Sequence, residues 1–346
     1  MQHAGINLGY GHTKLKLENA ELTFASIVAV SADDFAGLGF DRKNRKTRFQ
    51  GKTYEVGTGA GQLEWTAGGG KEVYPKWGGS PTYRVLQQAV IDAMADASTG
   101  EEPWRIVTGV AVDHYRDKAY VAQLTGMWTG LHASSSGKPV EIVGARVVPE
   151  PVGAYWYVLL SNPEVKRIAE LGRVTVVDVG YYTTDWVTVD RMALIDGESS
   201  GVNRGMYVFY QDLQGRIRDH TGNTYNLSEI EQAFLGDRTL LDKRDTLDIA
   251  EWRKSVIDTN GPRVVSALRS SLGEAQASGR LYILAGGGAD IIRPFLTDLG
   301  LGSEVQVAED PQMANARGYW MMARRWTESV DAGKGGQSTA HDKTAR

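Results

Sequence analysis

The sequence contains no cysteine, which rules out disulfides, thiolate metal sites and a cysteine nucleophile. That fits a chain kept in a reducing cytoplasm. Histidine is scarce, with six in 346 residues, and no two stand at the i, i+4 spacing of a helical zinc site. No apolar run reaches the roughly 18–20 residues that a membrane-spanning helix needs. The opening Met1-Gln2-His3-Ala4 does not have the basic-then-apolar form of a signal peptide. Neither sign of charge dominates: the net charge is −4, so bulk electrostatics do not mark a nucleic-acid binder. The one concentrated basic run, Arg42-Lys43-Asn44-Arg45-Lys46-Thr47-Arg48, reads as a solvated hairpin or loop. The expectation is a soluble cytoplasmic protein with neither membrane nor direct nucleic-acid partner.

The length suits two domains better than one, and the 42% apolar and 23% charged residues are ordinary for a globular chain. Ala4 to Gly9 reads as a short buried strand entering a glycine turn, and Lys14 to Glu18 alternates as a returning strand. Thr53 to Gly57 reads as another strand. Gly68-Gly69-Gly70 and Lys76-Trp77-Gly78-Gly79 read as a mobile loop. Thr82 to Ala97 places Val85, Leu86, Ala89, Val90 and Met94 on one helical face. Arg105 to Val112 and Val140 to Val148 read as strands, Lys118 to Trp128 and Pro151 to Leu160 as helices. The pattern then restarts, with strands at Arg173 to Val179, Thr184 to Val189 and Leu281 to Ala285. Helices are expected over Ser228 to Phe234, Ile249 to Leu272, from about Ala289, and over Gln312 to Trp326. This order is α/β. Beyond Glu328 the polar, glycine-rich Gly333-Lys334-Gly335-Gly336-Gln337 reads as a disordered tail over 329–346.

The most informative feature is an internal echo. Ile6-Asn7-Leu8-Gly9-Tyr10-Gly11-His12-Thr13-Lys14 and Val177-Asp178-Val179-Gly180-Tyr181-Tyr182-Thr183-Thr184-Asp185 share one plan. In each, an apolar strand carries an acid or amide two residues before a glycine; then come a tyrosine, two spacers, a threonine and a charged residue. One such turn is explained by a tight hairpin; the pair, about one domain apart, indicates duplication. A glycine lets backbone approach a ligand closely, and successive N–H groups with a hydroxyl make an anion-binding concavity. Two such tips across a cleft would clasp a polyphosphate, with Lys14 adding positive charge and the acid before the glycine near a hydrated magnesium ion or an attacking water.

Three further segments fit that picture. Leu284-Ala285-Gly286-Gly287-Gly288-Ala289 ends a strand and opens a helix, where a flat or anionic group can come close. It reads equally as a tight packing turn. In Val148-Pro149-Glu150-Pro151, prolines fix the backbone around a carboxylate able to orient water, or to favour a helix start. Ala314-Asn315-Ala316-Arg317-Gly318-Tyr319 is a small-residue helix face for close packing or a hinge.

These five segments, in this order, resemble the nucleotide-site motifs of the superfamily of actin, sugar kinases and heat-shock-chaperone ATPases, over roughly residues 4 to 325. They look most like ParM-type plasmid-segregation actins, their archaeal relatives and the actin-like protein D of a plasmid gene cluster. The resemblance implies two ribonuclease-H-like domains, over 1–165 and 166–328, flanking a cleft for ATP and Mg. It implies an ATPase that forms nucleotide-dependent filaments and positions plasmid DNA through a DNA-binding adaptor. By position, it assigns Asn7, Gly9, Gly11, His12, Thr13 and Lys14 to the first phosphate motif and Gly180, Thr183 and Thr184 to the second. Gly286, Gly287 and Gly288 fall in the adenosine motif. Glu150 and Asp178 take catalytic positions, and Asn7 and Asp178 lie at the metal. Asp185 reads as structural as readily as functional. Asn7 departs from the family's aspartate, and an amide lacks the charge that favours hydrated magnesium.

The rival class is a small-molecule kinase of the same superfamily, for which Asp113 is the best candidate base. A membrane-attached relative would need an amphipathic anchor that neither end supplies, and a chaperone would need a peptide-binding domain after residue 330.

Overall fold

The structure, a computed structural model, describes the chain except for residues 32–44, 59–75, 99, 237–238, 243–244, 273–279, 299–303 and 339–346. The chain opens with an antiparallel meander of β1 (Gln2–Leu8), β2 (His12–Lys16) and β3 (Glu21–Ala25). β1 is buried on both faces from Ala4 to Leu8, as an interior strand of a covered sheet must be. β4 (Val28–Val30), β5 (Arg45–Phe49) and β6 (Lys52–Val56) form a small separate sheet. Arg45 to Arg48 of the basic run thus lie in a hairpin closed at Gln50-Gly51, both with positive φ. Arg42, Lys43 and Asn44, and the Gly68–Gly70 loop, lie outside the described residues.

Lys76 to Gly79 departs from the expected mobile loop. Trp77–Gly79 is a 3₁₀ turn in which the buried Trp77 indole donates to the Leu8 carbonyl at 2.7 Å. α1 (Pro81–Ala97) follows, started by proline at N1 and by the Ser80 hydroxyl accepting from the Tyr83 N–H. All five apolar residues of its expected face are buried, Val85, Leu86, Val90 and Met94 each contributing roughly 1.5–3 kcal/mol and Ala89 less. β7 (Trp104–Val110) lies parallel to β1. It is shorter than expected, because Val112 opens α2 (Val112–Arg116) instead of extending the strand. α3 (Lys118–Trp128), β8 (Gly130–Ala133) and β9 (Pro139–Pro149) complete a sheet ordered β3-β2-β1-β7-β9-β8.

After α4 (Glu150–Ser161) and α5 (Pro163–Leu171) the plan repeats. β10 (Arg173–Val179), β11 (Thr184–Asp190) and β12 (Ala193–Val202) form a second meander. α6 (Met206–Thr221), α7 (Leu227–Leu235), the hairpin β13 (Thr239–Asp242) and β14 (Asp245–Asp248), and α8 (Ala250–Leu272) are inserted before β15 (Arg280–Ala285). Then come α9 (Ala289–Asp298), β16 (Glu304–Val307) and α10 (Ala314–Ser338). The second sheet is ordered β12-β11-β10-β15-β16, with β15 parallel to β10 and β16 to β15. Apart from the edge strand β8, the two sheets share one topology, so the sequence echo is a repeat of fold. α10 runs past the expected end at Trp326 into the segment expected to be a tail.

α4 and α10 pack on each other between the sheets, α10 against β1 and β7, α4 against β10. Missing side chains permit this closeness. A Cβ on Gly5 would collide with the Ala316 carbonyl, and one on Gly318 with the Gly153 carbonyl. The expected small-residue face therefore joins the two halves, and it sets the cleft above it.

Candidate active site

The two hairpin tips are built alike. In the first, the Gly9 N–H donates to the His12 carbonyl at 3.2 Å; in the second, the Gly180 N–H donates to the Thr183 carbonyl at 2.9 Å. Each is held from behind. Ser26 donates its hydroxyl to the Gly9 carbonyl at 2.7 Å and its N–H to the Gly11 carbonyl at 2.9 Å. The second tip receives the N–H groups of Gly205, Met206 and Tyr207 on the carbonyls of Tyr182, Gly180 and Tyr181.

The tips meet. A Cβ on Gly11 would lie 2.5 Å from the Tyr181 Cβ, and the Tyr10 and Tyr182 rings are 5.0 Å apart. Tyr10 also stacks on Trp77 at 4.7 Å, so a run of aromatic rings crosses from one half to the other. Both tips and Gly286-Gly287 line a cleft with about 760 Å³ of empty space, counting the part open to solvent. Gly286 has φ +81 and its α-carbon faces Asp178 and Val179 so closely that any side chain would collide. A Cβ on Gly287 would meet nothing within 4 Å, leaving backbone open to a ligand.

Charged groups converge on the tips. A Cβ on Gly9 would lie 3.3 Å from Asn7 Oδ1 and 3.8 Å from the Lys14 ammonium. Asp178 is 6% exposed, and its Oδ2 accepts from Asn315 Nδ2 at 2.5 Å. Burial raises the Asp178 pKa, opposed by Lys14 and by the Asn315 hydrogen bond. Glu150 is pushed well above the ordinary carboxylate range by burial, then by Asp178 and Asp185, with Lys14 opposing. Burial lowers Lys14, against the pull of Asp178 and Glu150. A carboxyl with raised proton affinity beside a lysine can accept a proton from water, and the lysine can meet an incoming anion.

Residues 5–153 match the family model described as the N-terminal domain of actin-like proteins; residues 176–298 match that of the C-terminal domain of the archaeal actin homologue MreB-like. The chain belongs to the actin-like proteins. Among solved structures it is similar to Ta0583, an archaeal actin homologue, with a TM-score of 0.75 and 22% identity over 94% of this chain and 99% of that one. The ADP complex of Ta0583 matches with a TM-score of 0.69 and 19% identity, over 94% and 100%. A 15-stranded ParM filament from Clostridium botulinum matches with a TM-score of 0.77 and 19% identity, over 94% and 99%. At these identities the likeness is one of fold. No curated protein matches the sequence.

In this actin-like chain, Asn7, Gly9, Gly11, His12, Lys14, Glu150, Asp178, Gly180, Thr183, Gly286 and Gly287 all line the one cleft. Three expected residues do not line it. Thr13 is fully buried, with its hydroxyl 3.1 Å from that of Ser26. The Thr184 hydroxyl donates to the Arg204 carbonyl at 2.8 Å. Gly288 donates its N–H to the Val179 carbonyl and packs on Val179 and Met206. Asp185 is 2% exposed, and its Oδ1 accepts the Val112 N–H at the start of α2, at 2.8 Å. It thereby ties the second half to the first.

Sequence reasoning missed the cleft wall made by Tyr181, Met206, Tyr210, Glu231 and Leu235. One signal was available. Leu227, Ile230, Glu231 and Phe234 follow i, i+3, i+4, i+7, so Glu231 is a carboxylate on the apolar face of α7, where an acid needs a reason. Asn315, also in the cleft, was legible only as part of a packing face.

Proposed function

We propose that the cleft binds ATP with magnesium and hydrolyses it. The bound nucleotide then governs assembly of chains into a filament that positions plasmid DNA in the cytoplasm through a DNA-binding adaptor. The observation that carries this reading is the convergence of two duplicated glycine tips, Lys14, Asp178 and Glu150 on one cleft between the repeated halves. The phosphates lie along Gly9, Gly11, His12, Gly180 and Thr183 with Lys14 against them. The nucleoside lies toward Gly286, Gly287, Tyr181, Tyr210 and Glu231. Thr13, Thr184 and Gly288 support the loops from behind.

The donor set fits magnesium, a hard cation that retains waters and phosphate oxygens and needs only one or two carboxylates. Among the described residues no group of three or more His, Cys, Asp or Glu could hold a metal alone, which fits an ion brought with the nucleotide. Asp178 and the Asn7 amide oxygen would face it. When bound, the ion would neutralise charge on the phosphates. Glu150 orients the water and receives its proton, and Asn315 keeps the Asp178 carboxylate in place.

Two neighbours support the reading: Ta0583 has been solved as a complex with ADP, and the clostridial ParM as a filament. Asp113, the candidate base for a kinase, is salt-bridged to Arg116 at 2.7 Å and does not line the cleft. The test is sedimentation and electron microscopy with ATP, ADP or no nucleotide, alongside phosphate release. ATP-dependent polymer with phosphate release that tracks assembly supports the proposal. Phosphate transfer to a sugar, or assembly indifferent to nucleotide, refutes it.

A further inference from the structure

Asn315 is 4% exposed and stands in the first turn of α10, with both ends of its amide engaged. Its Nδ2 donates to Asp178 Oδ2 at 2.5 Å, and its Oδ1 accepts the Ala154 N–H at 2.9 Å. One turn later the fully buried Tyr319 donates its hydroxyl to the Glu150 carbonyl at 2.9 Å. Glu150 and Ala154 are four apart in α4, so these are the acceptor and donor that a regular helix pairs with each other. Here each has a partner on α10.

The geometry follows from the glycines. Gly153 and Gly318 bring the two helices into backbone contact, close enough for an amide as short as asparagine to span from α4 to β10. The turn that carries the Glu150 side chain is thus braced twice from α10. Of the two, it is Asn315 that touches both that turn and the Asp178 carboxylate. Glu150 also packs at the end of β7, where a Cβ on Gly109 would come within 3.0 Å of its Cγ.

We propose that Asn315 is a positioning residue for hydrolysis: it fixes Asp178 relative to Glu150 through the α4 turn, with Tyr319 bracing that turn. This rests on the hydrolytic reading of the cleft. A buried amide that served packing alone would affect stability when changed. One that sets the geometry of two reacting groups affects turnover more than nucleotide binding.

The experiment compares full-length wild type with Asn315→Asp, Asn315→Ala and Tyr319→Phe. It measures kcat and KM for phosphate release from ATP, affinity for a non-hydrolysable ATP analogue, and thermal melting. Asn315→Asp keeps the shape and the acceptor for Ala154 but turns an oxygen toward Asp178. Its kcat should fall about ten- to a hundredfold, the range for small misplacements of reacting groups, with KM and analogue affinity within about threefold of wild type. Tyr319→Phe should lose about threefold in kcat by the same reasoning. If Asn315→Ala fails to fold, the other two variants decide. Wild-type kcat in both, or a kcat that falls only in step with melting temperature or analogue affinity, overturns the inference. A wild-type chain that binds ATP without releasing phosphate removes the hydrolytic reading and this inference together; hydrolysis indifferent to Asn315 removes this inference alone.

Discussion

Between about pH 5 and about pH 8 the fold should weaken, and Asp185 should cause a measurable part of the loss. Its carboxyl is 2% exposed and pushed up to about 7, from an ordinary 3.8. Burial is the largest cause; the Thr183 hydroxyl and the Val112 N–H pull the other way, and Asp178 and Asp113 add to the rise. Between these two values the folded chain holds a proton that the unfolded chain has released. Stability therefore falls as pH rises through the window, by about 1.4 kcal/mol per unit. From about pH 5 to about 7 that is on the order of 2–3 kcal/mol, and above 7 the contribution flattens. Glu150 and Asp178 are raised too, so the wild-type slope includes theirs. The difference from Asp185→Asn reports this group together with the share of the Glu150 rise that it causes, because the amide oxygen can still accept the Val112 N–H but neither titrates nor repels its neighbours. Urea unfolding of both proteins across this range is the assay. Asp185→Asn should gain on the wild type by about 2 kcal/mol between the two ends. A difference constant to within about 0.5 kcal/mol would show that Asp185 is ionised in the folded chain throughout, and the argument from burial would fail.

Restoring the acid at the first tip, Asn7→Asp, should raise the rate of phosphate release at saturating ATP, since a carboxylate favours hydrated magnesium where an amide does not; an unchanged rate counts against that. Gly318→Val should cost roughly 3 kcal/mol or more, because its Cβ meets the Gly153 backbone and neither helix can yield without moving a sheet. Thermal melting would show this, and a melting point within a degree or so of wild type would refute the close crossing. Tyr10→Ala removes ring contacts with both Trp77 and Tyr182. Only the second joins the two tips, and at about 0.5–1.5 kcal/mol its loss should speed release of a fluorescent nucleotide about two- to tenfold; an unaltered off-rate would mean that the tips do not part during release.

The duplicated plan was legible because it is local. A glycine turn between an apolar strand and its antiparallel return is encoded within nine residues, and both tips adopted it with the same four-residue loop, closed from residue i to i+3. Gly286 and Glu150 were legible for a similar reason, being fixed by strand ends and flanking prolines. Thr13 and Thr184 show the limit. Each belongs to its loop in sequence, yet alternation along β2 turns Thr13 inward to Ser26, and β11, buried on both faces at its start, holds Thr184 against the Arg204 carbonyl. Strand parity could have predicted the first but not the second.

Glu231 and Asn315 needed more than parity. Their surroundings are assembled from segments far apart in the chain, and sequence carries no distance between α10 and β10 or between α7 and the second tip. What sequence does carry is the anomaly: a carboxylate on the apolar stripe of α7, and an amide among alanines where α10 must be smooth enough to touch α4. Desolvating either without a partner costs on the order of 1–3 kcal/mol, more for the charge. A helix that needed only to pack would therefore place an alanine or a leucine at these positions. The polar residue is retained where a second requirement offsets that penalty, and in this cleft Asn315 meets it by holding the Asp178 carboxylate.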